Sequence, residues 1–308
     1  MTKPPGIAPG DTIAVVSPAS PVAREKLANG IRTFEERGYR LTFGKHAFDS
    51  KGYLAGSDED RAGDIMDAWF DPEVKAVFCS RGGYGCARLL PLLDLDRMAK
   101  EPKLFAGFSD ITTLHLALNR RGLATLHAPM LLSFVKERAP WVVEMLFTVL
   151  EGTAPIQLPK AAQRPETIVG GIAEGVVTGG CLCLLCDSLD TPDIIDAGGK
   201  ILLIEDVDEP PYRIDAMLTH LYNAGKLENV AGIVVGEMTR TDEKAEDDMG
   251  CVPWQDIVIE RLRPLGVPMV IGFPFGHAEG MASLPLGIKA RLDADAGELS
   301  YLEIGVAK

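Results

Sequence analysis

The chain has 308 residues, 46% of them hydrophobic and 24% charged, enough for a large buried core and more than one domain. Its net charge of −13, from 31 basic and 44 acidic residues, argues against a nucleic-acid partner or an anionic membrane surface. No apolar run approaches the ~18 residues of a membrane helix, and the first ten residues lack the apolar stretch of a signal peptide, so a cytoplasmic protein is expected.

In chain order, Thr12 to Ser17 reads as a strand, Val22 to Arg37 as helical and Tyr39 to Phe43 as a second strand. Ser57-Asp58-Glu59-Asp60 has capping-box spacing and opens a helix to about Phe70. Strands near 75–79 and 103–106 follow, each with a helix behind it. This βαβ rhythm implies a parallel sheet with flanking helices, and hence an α/β fold. Residues 1–150 form the expected N-terminal domain, 151–167 a Pro-, Gln- and Thr-rich linker, and 168–308 the C-terminal domain. In the latter, strands are expected at Ile172 to Val177, Ile201 to Glu205 and Ile233 to Gly236, with a terminal hairpin through Asp295-Ala296-Gly297.

Four segments carry chemistry. Gly107-Phe108-Ser109-Asp110 lies between an apolar run and the helix-like Ile111 to Asn119. A serine on such a strand–turn–helix has an exposed hydroxyl beside N–H groups that can stabilise an oxyanion. The alternative is that Ser109 or Asp110 caps the helix. Upstream, Ser80-Arg81-Gly82-Gly83-Tyr84-Gly85 follows the apolar run Val74 to Cys79. Glycines there let the backbone turn sharply and aim N–H groups at an oxygen, and neither phosphate-binding glycine motif is present. Downstream, Lys200 to Asp206 reads as a buried strand ending in two carboxylates, facing the usual ligand crevice of a parallel sheet. Among five histidines, His277 is the one in a Gly/Pro-flanked loop. His115 and His220 fall in helical patterns, and His46 has no supporting context.

The six cysteines are Cys79, Cys86, Cys181, Cys183, Cys186 and Cys251. Cys181-x-Cys183-x-x-Cys186 lies in an apolar, helix-like run without a nearby histidine, so buried thiols rather than a metal site are expected. No disulfide framework is expected. Cys86, near the glycine turn, is a rival nucleophile on proximity alone.

Taken together, the chain resembles the serine-type LD-carboxypeptidases, which cut the L,D-peptide bond to a terminal D-alanine in murein peptides. The matching pieces are Ser80 to Gly85, Arg88 to Pro91, Gly107 to Thr112, Leu126-His127, Leu203 to Asp206, Pro211 to Asp215, Gly276-His277 and Leu284 to Gly287. They span nearly the whole chain. The resemblance implies a flavodoxin- or glutamine-amidotransferase-like parallel-sheet domain followed by a smaller mixed α/β domain of swivelling type. It implies a triad of Ser109, Glu205 and His277, an oxyanion hole from the backbone N–H groups of Gly83 and Asp110, and a homodimer. Arg81, Tyr84 and His127 are the candidate substrate contacts, Arg81 through bidentate pairing with a terminal carboxylate. Members often carry Gly where Ala128 stands and Asn near Met281, departures that bear on the shape of the substrate pocket.

In the expected chemistry Ser109 attacks the peptide carbonyl, His277 relays the proton and Glu205 orients the imidazole. No cofactor or metal is expected, and the partner is a small murein peptide. The chain order Ser…Glu…His matches α/β-hydrolases, but Ile111 stands where the GxSxG elbow needs Gly, which points to a different scaffold. Two other functions compete: a related amide hydrolase of the peptide-nucleotide antibiotic immunity type, and a non-catalytic binding module on the same scaffold. With Ser109 in one domain and Glu205 and His277 in the other, the site is expected in an interdomain cleft.

Overall fold

The structure is a computed structural model that describes residues 1–160, 162–245 and 252–307. Cys251 lies outside the described residues. In chain order the strands are β1 Thr12–Val16, β2 Arg40–Phe43, β3 Val74–Cys79, β4 Leu104–Gly107, β5 Thr125–His127, β6 Glu166–Val169, β7 Ile172–Cys181, β8 Ile201–Val207, β9 Gly232–Thr239, β10 Met269–Ile271, β11 Leu284–Leu286, β12 Lys289–Asp293 and β13 Glu298–Tyr301. The α-helices are α1 Ala28–Glu36, α2 Asp58–Phe70, α3 Leu95–Lys100, α4 Thr112–Arg120, α5 Pro140–Glu151, α6 Leu182–Asp187, α7 Pro211–Asn223 and α8 Trp254–Leu262.

The chain folds as two compact units. The first comprises Met1–Ala154, Ser283–Gly287 and the chain from Ile304 onward; the second comprises Pro155–Ala282 and Ile288–Glu303. The first holds a six-stranded sheet in the order β11-β5-β4-β3-β1-β2. β2, β1, β3, β4 and β5 are parallel, and β11 closes one edge antiparallel to β5. Ile13, Val15, Ala76, Val77 and Phe78 are fully buried, as expected of parallel strands covered on both faces. Phe34 of α1 packs edge-on to Phe78 and to Phe147 of α5, at centroid distances of 5.1 and 5.3 Å.

α2 begins as its sequence demands. Ser57 Oγ accepts from the Asp60 N–H at 3.1 Å, and Asp58, Glu59 and Asp60 set negative charge at the positive end of the helix. One helical expectation is corrected. Val22 to Arg37 is not one helix: a 3-10 turn over Arg24–Leu27 precedes α1. The helix expected behind β3 is α3, and before it Cys86–Leu92 forms a 3-10 helix with Pro91 inside it. A proline there lacks the N–H that a continuing α-helix needs.

The second unit holds a seven-stranded sheet, β13-β12-β7-β8-β9-β10-β6. β7 to β10 run parallel; β12, β13 and β6 join antiparallel, which makes this sheet mixed. The expected hairpin is β12–β13, turning through residues 294–297.

Candidate active site

β4 delivers Ser109. The strand ends at Gly107, Phe108 remains extended, and Ser109 turns to a φ of 66° before a 3-10 turn leads into α4. A side chain at such a φ costs roughly 1–3 kcal/mol and persists only when its surroundings impose it. Those surroundings are visible. His115 of α4 donates from Nε2 to the Gly107 carbonyl at 2.9 Å, which fixes the Nε2–H tautomer. Burial holds its pKa down at about 4, so it stays neutral. Asp110 is buried and accepts the Cys86 N–H at 2.8 Å through Oδ2. Neither helical start after β4 uses a side-chain cap, so the capping alternative for Ser109 is not realised.

The glycine turn packs directly on Ser109. A Cβ at Gly82 would lie 2.8 Å from Ser109 Cβ and 2.9 Å from its Oγ. Gly83 has φ 124°, and a Cβ there would meet Ser20 Oγ at 2.2 Å. Only glycine fits both demands. Ser20 Oγ accepts the Tyr84 N–H at 3.3 Å, and the fully buried Arg61 donates to the Pro18 and Gly85 carbonyls. The Gly83 N–H has no acceptor among the described residues.

In the second unit, Glu205 and His277 form a hydrogen-bonded pair. His277 Nδ1 lies 2.6 Å from Glu205 Oε2, which also accepts the His277 backbone N–H at 3.1 Å. Glu205 is fully buried on β8. Ile204 pairs with Val235 but Asp206 with Met238, so β9 carries a bulge opposite Glu205. The bulge places Gly236 beside the glutamate: a Cβ there would meet Phe275 Cε1 at 2.8 Å and Glu205 Cβ at 3.1 Å. Burial is the largest influence on His277 and pushes its pKa down, but the Glu205 charge and hydrogen bond outweigh it, and the net shift is upward. Glu205 Oε1 has no hydrogen-bond partner among the described residues, and Oε2 carries both bonds to His277.

The neighbouring acids are engaged elsewhere. Asp206, on the opposite face of β8, accepts the Cys183 and Val207 N–H groups at 2.8 and 2.7 Å. Burial, then the Glu205 charge, raises its pKa to about 6. Asp208 is half exposed and paired with Arg240.

The candidate substrate contacts differ in setting. Tyr84 is exposed and lies edge-on to exposed Tyr53, with centroids 5.8 Å apart. Arg81 donates to the Gly82 and Pro21 carbonyls at 3.0 and 3.3 Å, which braces the glycine turn. His127 is buried on β5 with its ring 5.6 Å from Phe108, beneath the serine turn. Ala128 and Met281 are also buried. Cys86 is fully buried, and burial followed by Asp110 pushes its thiol well up, so it is no nucleophile.

Residues 13–128 match the LD-carboxypeptidase N-terminal domain and residues 174–292 the LD-carboxypeptidase C-terminal domain. The chain belongs to the LD-carboxypeptidase family. A Streptomyces coelicolor relative with a provisional carboxypeptidase name is 41% identical, over 97% of this chain and 96% of its own. A Bacillus subtilis relative named "probable murein peptide carboxypeptidase" is 37% identical, over 99% and 96%. Among solved structures, the muramoyltetrapeptide carboxypeptidase of Oxalobacter formigenes superposes with TM-score 0.78 at 29% identity, covering 94% of this chain and 97% of that one. MccF in complex with glutamyl sulfamoyl guanosine superposes with TM-score 0.89 at 23% identity over the full length of both chains, a likeness of fold. As a member of the LD-carboxypeptidase family, the protein is a peptidase of carboxypeptidase type. Its two family domains carry Ser109 and the Glu205–His277 pair respectively.

His115 and Gly236 support the candidate site, and sequence reading gave neither a part in it. Gly236 reaches Glu205 only through the pairing of β9 with β8, whereas His115 acts within one strand–turn–helix. The signal available was a histidine six positions after Ser109.

Proposed function

We propose that the protein is a serine carboxypeptidase that hydrolyses the bond to the terminal D-alanine of murein tetrapeptides. The observation that carries this reading is the buried Glu205–His277 hydrogen bond, the orienter–base half of a triad. With its proton on Nδ1 facing the carboxylate, the neutral imidazole carries its lone pair on Nε2, where a base must act. The positive φ of Ser109 supports its part as nucleophile.

Ser109 Oγ attacks the carbonyl carbon while His277 takes its proton. The oxyanion is stabilised by the Gly83 and Asp110 N–H groups. The tetrahedral intermediate collapses as the C–N bond breaks, His277 returns the proton to the leaving amine, and D-alanine departs. Water then attacks the acyl ester, giving its proton to His277, and releases the shortened peptide with Ser109 restored. A role in recycling cell-wall peptides goes with this substrate and with a cytoplasmic setting; the homodimer rests on the family resemblance.

The test is mass spectrometry of murein tetrapeptide incubated with the protein, together with a serine-reactive fluorophosphonate probe. Tripeptide plus free D-alanine, with one label on Ser109, is the expected result. Labelling with cleavage only of an aminoacyl-nucleotide sulfamate selects the immunity-type amide hydrolase. Absence of both label and cleavage leaves a binding module.

A further inference from the structure

Three ligand-bearing groups meet on the second unit. Cys181 ends β7, Cys183 lies in the first turn of α6, and Asp206 stands on β8. One ligand atom from each lies within 4.8 Å of the others. The two sulfurs are 3.5 Å apart. Two sulfurs bound to one tetrahedral zinc-type ion at ~2.3 Å stand about 3.8 Å from each other, so little movement is needed. Both Asp206 oxygens already accept a backbone N–H, which orients the carboxylate, and each keeps a second lone pair. Cys183 is partly exposed and lines a cavity of about 290 Å³ with Cys186, Asp187 and His220, which provides a way in. Cys186 is turned aside and donates its thiol to the Met217 carbonyl.

We infer that Cys181, Cys183 and Asp206 form a binding site for a thiophilic divalent cation of the zinc or cadmium kind. Binding forms two S–metal bonds and one O–metal bond. Each thiol loses its proton to solvent, and water fills the fourth position. Thiolate donors select such ions over magnesium or calcium. Cys181 is the register partner of Glu205 and Asp206 is its chain neighbour, so an ion here presses on the strand step that carries the glutamate.

The experiment titrates reduced, chelator-stripped full-length protein with cadmium and follows ultraviolet thiolate-to-metal charge transfer, with zinc as competitor. One equivalent should bind with that absorption, and zinc should displace it. Cys183→Ser and Cys183→Ala should weaken binding beyond the roughly 10–100-fold typical of losing an outer-shell partner. Both variants should keep wild-type turnover in metal-free buffer, and Cys186→Ser should bind cadmium as wild type does. No charge-transfer absorption, binding that survives both Cys183 variants, or equal loss in Cys186→Ser overturns the inference. Circular dichroism of each variant separates lost binding from lost fold.

Discussion

Gly276 and Glu205 touch so closely that a Cβ on Gly276 would stand 2.3 Å from Glu205 Oε2, the atom that holds His277. Gly276 also has φ 82°, so a side chain there is opposed twice. Gly276→Ala should lower kcat by about 10²-fold or more, since a 1 Å displacement of a catalytic group costs that much. It should cost roughly 1–3 kcal/mol of stability in urea denaturation. Wild-type kcat in this variant would show that the Glu205–His277 contact is not needed for turnover.

Ser109→Ala removes only a hydroxyl. Because Ser109 makes no helix-cap bond, stability should change by about 0.5 kcal/mol or less. Turnover should vanish while substrate binding by calorimetry remains. Near-wild-type activity in the pure variant would rule Ser109 out as nucleophile.

Glu205→Gln and Asp208→Asn separate two acids three positions apart. The first should lower kcat by about 10⁴-fold, as the equivalent amide substitution does in a serine protease, because an amide cannot stabilise the imidazolium. The second removes only a surface pairing with Arg240, and kcat should stay within a few-fold. A crippled Asp208→Asn beside a healthy Glu205→Gln would reverse the assignment.

The pH dependence follows from His277. Its folded pKa lies above the ordinary 6.5. In the proposed mechanism His277 acts as a base in its neutral form, so the acid limb of kcat/KM should have its midpoint above 6.5 and move down in Glu205→Gln. Stability behaves oppositely. A raised pKa means the folded state holds the proton more tightly, so this contribution is complete below 6.5 and fades as pH rises through the folded value. Urea midpoints of wild type and His277→Gln should converge across that window. An acid limb at or below 6.5 contradicts the pairing.

Local signals were legible in the sequence. The apolar run and turn around Ser109, the Ser57 cap and the β12–β13 hairpin each depend on a handful of consecutive residues, and each is present. The three-residue strands β5, β10 and β11 were not legible, because their pairing comes from partners far away: Leu284 of β11 bonds to His127 of β5. The same distance hid the bulge beside Glu205, which requires knowing that β9 pairs with β8. It also hid the approach of Asp206 to Cys183.

The φ of 66° at Ser109 has a consequence for engineering. Glycine takes that backbone conformation without the penalty a serine bears, so Ser109→Gly relieves strain in the fold while deleting the hydroxyl. A library of this protein sorted only for heat resistance should therefore enrich that substitution, and its best survivors should be inert toward peptide. Selection at this one position must read turnover and melting temperature together, because the two favour different residues.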